Sequence, residues 1–129
     1  MDNYFDKVKE FLLELDYPIK KSDEQSGILV IEKEEELIKN MVLVIEGETL
    51  VIMQRLFELK KESVDVLKDL LRLNLLMVSG ALALDETNVV VYRDTLQLEN
   101  LDKNELAASI EALTLLLSEY GEQLLKYGK

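Results

Sequence analysis

Hydrophobic and polar positions along this chain follow different periods, and the period predicts each element. Between Asn3 and Asp16, Phe5, Val8, Leu12 and Leu15 recur at steps of three and four, the stripe of a helix. Asp2 or Asn3 is suited to cap its free amides, and Pro18 prevents its continuation past Tyr17. Lys20 to Ser26 is polar and predicts a loop, after which Gly27 opens the strand Ile28-Leu29-Val30-Ile31. Lys33 to Glu36 predicts a solvated connection. Two segments then break the expected alternation: Met41-Val42-Leu43-Val44-Ile45 and Thr49-Leu50-Val51-Ile52-Met53, joined by Glu46-Gly47-Glu48. Successive strand side chains point to opposite faces, so a hairpin apolar at almost every position must be covered on both. Gly47 supplies the positive φ that a tight connection uses.

From Ser63 the period returns to that of a helix. Leu67, Leu70, Leu71 and Asn74 share one side, Ser63 is placed to cap, and Ser79-Gly80 ends the element near Leu76 or Met77. Its run Leu70-Leu71-Arg72-Leu73-Asn74-Leu75-Leu76-Met77 is apolar around most of the circumference, which predicts burial on every side or an interface. Gly80 to Leu84 and Val89 to Tyr92, separated by Asp85-Glu86-Thr87-Asn88, predict a second hairpin, whose last strand Leu96 and Leu98 either extend or pack beneath. Asp102 and Glu105 carry the spacing of a capping box for a last helix striped by Leu106, Ile110, Leu113, Leu117, Tyr120 and Leu124. The order is helix, three strands, helix, two strands, helix. Short connections favour antiparallel pairing, so the expected class is α+β, in a single domain spanning 1–129.

Composition narrows what such a domain does. Acidic residues outnumber basic ones 26 to 15, which disfavours nucleic acid and anionic membrane as partners and suits a basic or neutral client. The acidic N-terminus does not read as a secretory signal, and no apolar run is long enough to span a bilayer, so the expected location is the cytoplasm. There is no His and no Cys, which removes the usual proton carrier, the thiolate nucleophile and the commonest metal ligands. No serine sits in a glycine-flanked nucleophile turn, the glycines are dispersed singly, and no calcium loop is present. The expectation is a protein without enzymatic activity, cofactor or metal. Met41, Met53 and Met77 read as core fillers before they read as an adaptable surface.

The segments Leu70 to Leu76, Gly80 to Asp85, Val89 to Leu98 and Leu101-Asp102 together resemble the type III secretion chaperone-like superfamily, which comprises Tir-chaperone type secretion chaperones and YbjN-like domains. The resemblance implies an acidic cytoplasmic homodimer whose second helix and neighbouring strands build the dimer. It also implies apolar patches that hold an extended segment of a client protein. Leu50, Ile52, Leu71, Leu75 and Met77 are the expected interface residues, shared between dimer and client contacts, with strand addition at a sheet edge as the expected mode. The other branch of the superfamily implies a YbjN-like regulatory or stress-related domain that binds protein without a role in secretion.

Overall fold

The computed structural model describes residues 3–129. The chain runs α1 (Tyr4–Glu14), β1 (Ile19–Asp23), β2 (Ile28–Lys33), β3 (Ile38–Glu46), β4 (Thr49–Glu58), α2 (Val64–Leu73), β5 (Ala81–Leu84), β6 (Val89–Gln97) and α3 (Lys103–Tyr127). One antiparallel sheet holds all six strands in the order β1-β2-β3-β4-β6-β5. The α+β class stands. One strand was not expected: β1 occupies part of the polar stretch read as a loop. As an edge strand with Lys20, Lys21 and Ser22 exposed, it carries no apolar alternation to betray it.

Local chemistry explains the boundaries. The Asn3 side chain accepts from the Asp6 amide to open α1, whereas Asp2, the other capping candidate, lies outside the described residues. Ser63 caps α2 through the Val66 amide, and Asp102 with Glu105 completes a capping box on α3. The β3–β4 turn takes φ +58 at Gly47. At Gly80, φ is +71 and an added Cβ would fall 2.5 Å from the Tyr92 ring, so this turn needs glycine twice over.

Side-chain parity sorts the sheet into two unlike faces. Leu29, Ile31, Met41, Leu43, Leu50, Ile52 and Tyr92 are fully buried against Val8 and Leu12 of α1 and Leu106, Ile110 and Leu113 of α3. Leu70 and Leu73 of α2 join the same core, so all three helices lie on one side of the sheet. The Tyr92 hydroxyl donates to the Ser109 carbonyl at 2.5 Å, and burial pushes its pKa up to about 12. Tyr17 is raised to about 12 by burial first and by the carboxylates of Glu36 and Glu111 second. Asp69 of α2 accepts from Gln123 and the Tyr127 hydroxyl of α3, which ties the two helices together.

Candidate functional site

The opposite face of the sheet is the first feature that a single chain leaves unfinished. Cross-strand pairs set Val30 beside Val42 and Val42 beside Met53, then Ile28 beside Val44 and Val44 beside Val51. These side chains form an apolar field across three strands, and none belongs to the core beneath the helices. Val51 is shielded by its neighbours; Ile28, Val30, Val42, Val44 and Met53 stay partly exposed. Arg55 on β4 stands opposite Val91, and Arg93 on β6 stands opposite Met53, so two arginines flank the field diagonally.

The hairpin therefore has two apolar faces, one covered by this chain's helices and one bare. Leu50 and Ile52, expected at an interface, lie on the covered face with no exposed surface, so neither can touch a partner. Their sequence neighbours Val51 and Met53 occupy the bare face. A one-residue difference in parity moves a side chain through the sheet, which is why the segment was legible and its outer residues were not. The missed signal was the row Thr49, Val51, Met53, Arg55, which begins and ends in polar residues.

A second unfinished surface lies on α2. Leu71 is 68% exposed and Leu75 is 85% exposed, with Val64 and Leu67 continuing the stripe. Met77 is only partly exposed and packs against the core. Between α2 and β5, Leu67, Leu70, Leu71, Leu82, Leu84 and Val90 line a groove of about 260 Å³. The expected helix to Leu76 or Met77 instead tightens into a 3-10 turn at Asn74–Leu76. The Asn74 side chain accepts from the Leu82 amide at 2.7 Å and donates to the Leu82 carbonyl at 3.3 Å. It thereby occupies the outward backbone groups of Leu82 in edge strand β5. At the other edge, β1 has a register shift between Ile19 and Lys21 and exposes two lysines. Each edge thus carries a feature that hinders strand addition.

A third recess opens where β3 and β4 part. Ladder pairing ends at Val42 with Met53, and the buried Gln54 side chain takes over, accepting from the Lys39 amide and donating to the Leu37 carbonyl. Beyond it, Leu37, Leu56, Phe57, Leu117, Gly121 and Leu125 line a groove of about 410 Å³ between the sheet and the end of α3. Gly121 costs the helix about 1 kcal/mol relative to alanine, and a Cβ there would meet nothing within 4 Å. Among the described residues, no cluster of acidic side chains is arranged to hold a metal ion, and no helix is long and apolar enough to cross a membrane.

Known proteins share this architecture. The CesT_Tir_1 family model matches residues 1–129. The chain belongs to the CesT_Tir_1 family. Among solved structures, YbjN of E. coli superposes with a TM-score of 0.67 at 15% identity, covering 93% of this chain and 92% of that one. The Yersinia pestis type III secretion chaperone SycH, solved with a fragment of YscM2, gives 0.60 at 22% identity and coverages of 96% and 98%. A chain of the HopA1–SchA chaperone–effector complex gives 0.64 at 20% identity, covering 92% and 96%. At these identities the structures share the fold with the CesT_Tir_1 chain, and the family and the fold are those that the leucine-rich helix and second hairpin resembled. No curated protein matches by sequence.

Proposed function

We propose that this CesT_Tir_1 protein is a non-enzymatic, dimeric chaperone or adaptor of the cytoplasm that binds an extended segment of another protein. The observation that carries this reading is the bare apolar sheet face, because a soluble monomer gains nothing by leaving valines and a methionine uncovered across three strands. The exposed stripe of α2 supports the dimer half, since the resemblance implies a dimer built by the second helix and neighbouring strands. Leu71, Leu75 and Leu67 are then dimer contacts, whereas the sheet face and the groove beside α3 serve the client.

Sedimentation and a single substitution test the dimer. The protein should sediment as a dimer at micromolar concentration, and Leu71→Asp should convert it to a folded monomer, because it sets a charge in a desolvated contact. A wild-type protein that stays monomeric removes the dimer from the proposal. The YbjN-like reading, a regulatory or stress-related protein-binding domain, is supported by the superposition on YbjN. It predicts the same dimer but no genes of a secretion apparatus beside this one.

A further inference from the structure

The bare sheet face and the groove beside α3 are not separate surfaces. Lys39 and Arg55 line the groove, and the same two side chains line a second recess of about 460 Å³ with Asn40, Val42 and Met53. A continuous path thus runs from the valines of the sheet, between Lys39 and Arg55, to Phe57 and Leu125. Its ends are apolar and its middle is cationic. Both cations are exposed and neither forms a salt bridge among the described residues, although Asp85 lies near enough to Arg55 to feel its charge. Glu122 is the one acid lining either recess. Two cations to one acid is the reverse of the chain as a whole, with its 26 acids to 15 bases.

The geometry points to a partner segment of matching pattern, apolar, then acidic, then apolar, laid in extended form along this path. The inference rests on the extended-segment reading above and names the chemistry of the segment. Carboxylates in its middle would meet the Arg55 guanidinium, which can grip both oxygens at once, and the Lys39 ammonium. The flanking apolar side chains would fill the sheet field at one end and the Gly121 groove at the other. Gln54 holds the Leu37–Lys39 backbone in position, so the cationic pass is preformed. The expectation of a basic or neutral client was drawn from net charge, whereas the lining of this path has the opposite local balance.

Selection from a displayed library of random 16-residue peptides against the full chain tests this. Enriched peptides should carry Asp or Glu between apolar positions, beyond their frequency in the unselected library. Against the Lys39→Glu/Arg55→Glu double variant, checked for an unchanged melting temperature, the acidic preference should be lost and replaced by Lys or Arg. A selected acidic peptide should also bind the double variant about tenfold more weakly. Apolar peptides enriched without acidic preference, or equally on both proteins, overturn the inference while leaving extended-segment binding intact. No enrichment above background removes both. A wild-type dimer that the double variant dissociates would assign the path to a second copy and overturn the inference as well.

Discussion

The two faces of the sheet are built from similar residues and carry different burdens. On the covered face, Leu, Ile, Met and Tyr interlock with three helices and hold the fold together. On the bare face, the apolar side chains are mostly valine, flanked by arginine, and nothing in the core depends on them. The difference teaches that apolar character alone does not mark a core position. Larger side chains fill the face beneath the helices, and polar flanks mark the face that stays open.

The separation is sharpest under truncation. Ile52→Ala should cost about 2–5 kcal/mol in urea unfolding, since it opens a cavity in the core beneath the helices. Val44→Ala, on the other side of the same hairpin, should cost less than about 1 kcal/mol and weaken partner binding instead. Equal losses of stability from the two substitutions would erase the distinction between the faces. Asn74→Ala ranks between them at about 1–2 kcal/mol, because two backbone groups of Leu82 lose their partner. An unfolding midpoint unchanged by this substitution would mean that water replaces the amide without cost.

Two buried tyrosines add a titration to this comparison. The folded pKa values of Tyr17 and Tyr92 are raised from 10.0 to about 12. Their contribution to stability is therefore whole below pH 10 and is lost as pH rises towards 12, because only the unfolded chain readily gives up those protons. Urea midpoints measured from pH 9 to 12 should fall along this limb, and Tyr92→Phe should flatten it. Val44→Ala should leave its shape as it is.

Most of the element order was legible in the sequence, because helical stripes, caps and turn residues are local signals. Ser63, Gly47 and the Asp102–Glu105 box each do what their spacing announced. β1 escaped because an edge strand exposed on both sides needs no apolar alternation, and its lysines look like those of a loop. The two-faced hairpin was legible as a segment that its own helices would not fully enclose. Which of its residues face outward was not legible, because parity becomes a face only when the helices choose a side. The path past Lys39 and Arg55 was beyond sequence reasoning altogether, since it depends on where β3 and β4 part and where α3 ends.

Asn74 has a consequence for how many copies can gather. A sheet with a greasy surface and an unfinished margin is a seed for ribbons, each arriving chain presenting the next landing strip. By folding its carboxamide over Leu82, Asn74 imitates part of the neighbouring strand that would otherwise dock there, which hinders growth in that direction. An apolar sheet face can thus stay open beside a margin that is less inviting to another strand.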